Sequence, residues 1–300
     1  MVSPRDDQRH ENDDPLAELN KRMAAAMEAY NRQPDSEMGG LSPDQVFRLI
    51  HADWGAPGSP IQFNEELPLD LLNESHYFRD SRTLLLAVHK AGGVKATATG
   101  NLSRSTVSDL MDTIGDQEAR EMARRFNKVI NETDYYPIHL ARVFCEVAGL
   151  LKRSKGKFAV PKKQNDLLNE EQSGRLYRAL FVAFFRKFNL AYLAHWAPEV
   201  PSIQSCAAFT LQRLGVAARE WRVPADLYPD LFLPAVRAEV EGALSGRAYW
   251  KAENVADSMI IRPLIGWNLL EARMEEGKYG LEPVAVRTSP LYDAFLRFRL

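Results

Sequence analysis

The chain has 300 residues, of which 45% are hydrophobic and 26% charged, with 38 Lys and Arg against 40 Asp and Glu. That length allows two ordinary domains with cores of their own, and the balance is that of a globular protein. A formal net charge of −2 excludes a surface covered in nucleic acid but leaves room for a local basic patch.

Residues 1–14 are polar and charged, without apolar periodicity, and read as disordered. Nothing there resembles the apolar stretch of a secretory signal, and no run approaches the roughly 20 apolar residues that span a bilayer, so the expected location is the cytoplasm, with no membrane partner. Leu16, Leu19, Met23, Met27 and Tyr30 recur at helical spacing, which makes 1–40 an N-terminal extension that is disordered or helical. Ser42, Pro43 and Gln45 form a helix start: a capping residue, a first-turn proline and the partner of a capping box, followed by Val46, Phe47, Leu49 and Ile50. Residues 54–68, broken by Pro and Gly, read as irregular.

A first unit then spans about 76–168, within a domain of 41–168. Leu84, Leu85 and Val88 predict a helix stopped at Gly92-Gly93. The alternating stretch Val94 to Thr99 predicts a short strand. A second helix starts at Asn101 or Ser103, with Leu102, Val107, Leu110 and Met111 inward. An inserted helix covers 116–131. Pro137 opens a third helix, with Leu140, Val143, Phe144, Val147 and Leu151 on one face. A basic hairpin closes the unit. Helix, strand, helix, helix, strand, wing, strand is the order of a winged helix, a relative of the helix-turn-helix.

Residues 169–202 connect the units through a long helix, 173–197, whose aromatic stripe (Phe181, Phe184, Phe185, Phe188, Tyr192) reads as core rather than as a base-stacking platform. The pattern then returns over 203–300. A helix at 203–218 precedes a short strand at 220–223, helices within 225–244, a third helix at 254–270 bent at Pro263, and a second hairpin ending at Thr288. Each hairpin is followed by a short helix, 165–168 and 291–298. The expected fold is mainly α with short β-hairpins, two winged-helix-like units joined by a long helix, with strand confined to 94–99, 150–160 and 269–288.

Enzyme signatures are missing. Gly92-Gly93 through Gly100 lacks the Gly-Lys-Ser/Thr end of a phosphate loop, and neither a Gly-x-Ser-x-Gly elbow nor a His-Glu-x-x-His pair occurs. The six histidines are scattered singly. Cys145 and Cys206 are too few for a disulfide framework or a zinc cluster and sit in apolar helical patterns, as buried free thiols do. No catalytic residue, cofactor or metal ligand is assigned, and a non-enzymatic binding protein is expected.

The strongest chemical signal is the first wing. Lys152, Arg153, Lys155, Lys157, Lys162 and Lys163 fall within 148–163 with no acidic residue among them. Flexible cations on an exposed turn, with Gly156 allowing close backbone approach, are what phosphate contacts need. Lysines that protect a strand edge from aggregation are the alternative. On the third helix Arg142, with Tyr135, Tyr136, His139 and Glu146, is read as facing away from the apolar side and toward a groove. Arg104 and the hydroxyls of Ser103, Ser105 and Ser108 flank the start of the second helix. The second wing is acidic: over 264–283, Glu271, Glu275, Glu276 and Glu282 outweigh Arg273 and Lys278, a net −2. It fits a protein partner or a homodimer contact better than phosphate, or it has diverged without a role. Two functions follow: a basic wing that binds DNA or RNA, or a winged-helix scaffold for protein contacts without nucleic acid.

The segments Leu41-Ser42-Pro43-Asp44-Gln45, Thr97-Ala98-Thr99-Gly100-Asn101-Leu102 and Gly149-Leu150-Leu151 through Gly156-Lys157 resemble an uncharacterised group of bacterial proteins, whose related segments stand alone or beside plasmid-borne ORF-type and SEC-C-type modules. The stretch Val94 to Leu110 is also similar to the winged helix beside some helicase domains. The resemblance covers about 41–190. It implies a fold and a bacterial source, and carries over no catalytic residue.

Overall fold

The structure, a computed structural model, describes residues 15–194, 198–247, 250–277 and 280–300. It is mainly helical, with small antiparallel sheets of two or three strands. The reading of 1–14 as disordered concerns residues outside that range. The chain divides into two units, 1–48 and 49–300.

In the first unit, α1 (Pro15–Asn31) carries the expected apolar stripe, Leu16, Leu19, Met23, Met27 and Tyr30, on an exposed surface. A 3₁₀ turn follows, capped by Asp35 and closed by Gly39 in the left-handed region. α2 (Pro43–Ile50) starts with the expected capping box: the Gln45 N–H donates to Ser42 Oγ, and the Ser42 N–H donates to Gln45 Oε1 at 2.9 Å.

The second unit begins with β1 (Ile61–Phe63), α3 (Leu69–Asn73) and α4 (His76–Lys90). Ser75 caps α4 by accepting from the Phe78 N–H and donates its own hydroxyl to the Gly266 carbonyl, tying the start of α4 to a distant part of the chain. Then come β2 (Val94–Lys95), α5 (Arg104–Leu110), α6 (Gln117–Phe126) and α7 (Tyr136–Val147). The hairpin β3 (Lys152–Ser154) and β4 (Lys157–Ala159) follows, and β4 lies in the middle of a β2-β4-β3 sheet. A 3₁₀ segment, Lys162–Leu168, leads into α8 (Ser173–Arg186).

The chain continues through α9 (Pro201–Ser205), α10 (Ala207–Ala217), α11 (Pro224–Leu231) and α12 (Pro234–Leu244). α13 (Ala252–Ala256) and α14 (Arg262–Gly266) are joined by a π-helical turn just ahead of Pro263. The hairpin β5 (Leu270–Gly277) and β6 (Gly280–Thr288) follows. Arg222 and Val286 exchange both backbone hydrogen bonds, at 2.9 and 2.8 Å, so β6 again lies between an earlier segment and its hairpin partner. α15 (Pro290–Phe295) and β7 (Leu296–Phe298) end the chain.

Four expectations are corrected. The long connecting helix stops at Arg186, because the Lys187 and Phe188 N–H groups both donate to the Ala183 carbonyl and Asn189 caps a new 3₁₀ turn; residues 195–197 of that expectation lie outside the described range. The inserted helix is shorter than 116–131, since its last turn ends at Phe126. The helix expected to 298 ends at Phe295. Its last three residues form β7, paired antiparallel with β1 inside the stretch read as irregular.

α8 is the core of this unit, as its stripe predicts. Tyr177, Phe181, Phe184 and Phe185 are buried. They meet Phe144 and Tyr77 from earlier in the chain and Trp267 and Phe295 from later in it. Cys145 and Cys206 are buried free thiols, as expected.

Candidate nucleic-acid interface

The first hairpin turns on two residues with positive φ, Lys155 (49°) and Gly156 (72°), the geometry that matches the twist of tightly joined strands. Its register pairs Ser154 with Lys157, Arg153 with Phe158 and Lys152 with Ala159, while β2 pairs Val94 with Phe158 and Lys95 with Lys157. Side chains alternate across a sheet. Phe158, fully buried, therefore defines the inner face, and Lys95, Lys152 and Lys157 share the outer face. All three are exposed, as are Lys155 at the tip and Lys162 and Lys163 just beyond, and none of the six makes an ion pair among the described residues. Lys95 and Lys157 stand directly opposite, an arrangement that costs stability unless an anion lies between them.

Arg153 belongs to the other face. Gly100, at φ +87°, leaves room for its guanidinium, which lies 2.1 Å from where a Cβ at 100 would sit. Arg104 is exposed at the start of α5, and its Nε donates to Asn131 Oδ1 at 2.8 Å. The hydroxyl of Ser103 is engaged as the cap of α5.

Arg142 is not an outward-facing cation. It is buried, its Nε donates to Glu132 Oε1 at 2.6 Å and its Nη1 is hydrogen-bonded to Glu146. Its guanidinium lies over the Phe158 ring, 5.8 Å from the centroid. Glu132, fully buried, also accepts from the Leu102 N–H at 2.5 Å and meets His139 Nδ1 at 2.8 Å. Burial alone would raise the Glu132 carboxyl. The hydrogen bonds from His139, Leu102 and Arg142 outweigh that and hold it below the ordinary value. On the far side His139 Nε2 bonds the Tyr192 hydroxyl. Tyr135, also read as outward, is buried and donates to the Ile114 carbonyl at 2.6 Å. His139, Arg142 and Glu146 of α7 are thus engaged by Glu132, by Tyr192 and by one another.

Of the cations expected to act together, Lys152, Lys155, Lys157, Lys162 and Lys163 are exposed on or beside the hairpin, Arg153 lies on the opposite face and Arg142 is buried, while Lys95, not among those expected, shares the outer face. Its signal was available: Lys95 occupies the outward parity of a strand that pairs with the hairpin.

The second hairpin is built differently. Glu271 and Arg287 pair at 2.7 Å, and the Arg273 and Arg287 guanidiniums lie on the Trp221 ring, 4.3 and 4.7 Å from its centroid. Glu275 stands opposite Glu282 nearer the tip. Lys278, counted in its charge, lies outside the described residues.

Residues 73–174 match the family described as the Y4jL N-terminal domain, an uncharacterised domain to which this part of the chain is similar. The match encloses the first repeat and lies inside the 41–190 stretch; it carries nothing about SEC-C-type modules. No curated protein and no solved structure matches the chain. Among the described residues, no helix is long and apolar enough to cross a membrane.

Proposed function

We propose that the chain is a nucleic-acid-binding protein that grips phosphate with the outer face and tip of its first hairpin, within a unit of winged-helix type. The observation that carries the reading is the set Lys95, Lys152 and Lys157 on one sheet face, with Lys155 at the tip and no carboxylate partner for any of them among the described residues. Element order and the central position of β4 support the winged-helix comparison. Because the side chains of α7 are engaged internally, binding rests on the backbone of DNA or RNA and not on base edges.

The test is competition between duplexes of unrelated sequence. Affinities within about threefold of one another are expected. Lys95→Ala weakens all of them alike and reduces the salt slope by about 0.9. A strong sequence preference, or an unaffected Lys95→Ala variant, contradicts the reading.

The second reading, a protein-interaction scaffold, is favoured by that same internal engagement of α7, which leaves the helix without free groups for a groove. It takes the place of the first if the intact chain shows no salt-dependent binding to DNA or RNA.

A further inference from the structure

On the outer face of the β2-β4-β3 sheet the register sets Lys95, Lys157 and Ser154 opposite one another on three adjacent strands, with Lys157 in the middle. Strands lie about 4.8 Å apart, so Lys157 has an ammonium-bearing neighbour on one side and a hydroxyl-bearing neighbour on the other. Lys152, two residues before Ser154 on β3, shares their face and lies opposite Ala159. Ser154 is exposed, and its hydroxyl is engaged by no hydrogen bond among the described residues. The hydroxyls of Ser75, Ser103 and Ser105, by contrast, are all taken up within the fold.

The surface beside this row is low. Continuing the register by one residue sets Gly93 opposite Ala159, and a Cβ built at Gly93 would lie 3.7 Å from the Ala159 Cβ, on the same face. Two small residues next to the row let a ligand come down to a side chain as short as serine, between the longer lysines.

We infer that Ser154 is a phosphate ligand of this face, an uncharged donor that completes the row begun by Lys95 and Lys157; the inference rests on the phosphate reading of the hairpin. A phosphodiester carries one negative charge on two non-bridging oxygens, so one oxygen meets the Lys157 ammonium while the other accepts from the Ser154 hydroxyl. Chemistry favours a hydroxyl at this place over the alternatives. A third lysine would put three like charges in one row, where directly opposed like charges are already destabilising, and a carboxylate would repel the ligand. A hydroxyl donates to an oxyanion without adding to either repulsion. The partner of that hydroxyl is phosphate and not a base. The aromatic residue of the sheet, Phe158, points inward and is fully buried, so the outer face offers no ring on which a base could stack.

The test is the affinity of the intact chain for one duplex against salt concentration, for wild type, Ser154→Ala, Ser154→Thr and Lys95→Ala. Ser154→Ala is expected to weaken binding about three- to tenfold at every salt concentration, the size of one lost hydrogen bond. Its salt slope is expected to stay that of wild type, because a neutral donor releases no counterion, whereas Lys95→Ala lowers the slope by about 0.9. Ser154→Thr keeps the hydroxyl on a residue that strands favour and is expected to bind within twofold of wild type. Competition by sodium phosphate, set against sodium chloride at equal ionic strength, separates the two sources of this chemistry. Displacement equal to that by chloride marks the polymer backbone as the ligand, and an excess that Ser154→Ala abolishes marks free phosphate. A Ser154→Ala protein with wild-type affinity, or a Ser154→Thr protein that binds no better than Ser154→Ala, overturns the assignment. In that case Lys95→Ala still lowers the slope, which sets the outcome apart from failure of the phosphate reading itself, where wild type shows no salt-dependent binding.

Discussion

Arg142 and Phe144 stand two residues apart on α7 and are both buried, for opposite reasons. Phe144 fills an aromatic cluster, with ring centroids at 5.1 Å from Tyr77, 5.2 Å from Phe184 and 5.1 Å from Phe188. Phe144→Ala should cost about 3–5 kcal/mol in urea unfolding, through lost transfer energy and the cavity left behind. Arg142 is buried because Glu132 is there to meet it, and Glu132→Ala should cost about 3–5 kcal/mol by stranding Arg142. The lowered Glu132 value sets a sign: its contribution is present above the ordinary carboxylate range and is lost as pH falls through the folded value. Asp80 carries the opposite sign. Its folded value of about 6 lies above the unfolded 3.8, so the fold prefers the protonated form, and stability from this group declines as pH rises between those values. Relative to wild type, Asp80→Asn should therefore gain about 1–3 kcal/mol between pH 4 and pH 7; a constant difference across that range contradicts the burial argument. The burial of Phe144 was legible from helical spacing alone. That of Arg142 was not, because Glu132 comes from outside the helix, and spacing on one element cannot reveal a partner on another.

At the scale of elements, the first hairpin combines the proposed phosphate contacts with a local cost. Lys155 occupies the left-handed region, where asparagine is better tolerated than lysine. Lys155→Asn should leave stability unchanged or raise it by about 0.5 kcal/mol, while lowering the salt slope of binding by about 0.9. Thermal melts and salt titrations of the same variant separate the two effects. The hairpins were legible because strand, glycine turn and strand follow one another in sequence. The β1–β7 pair was not: each strand has three residues, they come from distant parts of the chain, and nothing in 61–63 alone announces a partner at 296–298. The end of α8 was equally hidden, since its aromatic stripe continues past Arg186 into residues that pack as a 3₁₀ turn. The capping box of α2, by contrast, is a three-residue signal that the backbone obeys.

Over the whole molecule, a net charge of −2 conceals an uneven distribution. Lysines that have no carboxylate partner among the described residues gather on the first hairpin, whereas the second neutralises Glu271 with Arg287 and sets Glu275 against Glu282. The two repeats share element order and the central place of their last hairpin strand, and α8 packs both onto one aromatic core. That common plan with different surfaces is consistent with one repeat that holds phosphate and one that does not. The most direct measurement is the affinity of the intact chain for a single duplex as a function of salt concentration, for wild type and for a variant with Lys95, Lys152, Lys155 and Lys157 replaced by alanine. Wild type should lose affinity linearly in log salt, and the variant should show a slope shallower by about 0.9 for each lysine that contacts phosphate. A wild-type chain without salt-dependent binding at low ionic strength, or a variant with an unchanged slope, would contradict the account.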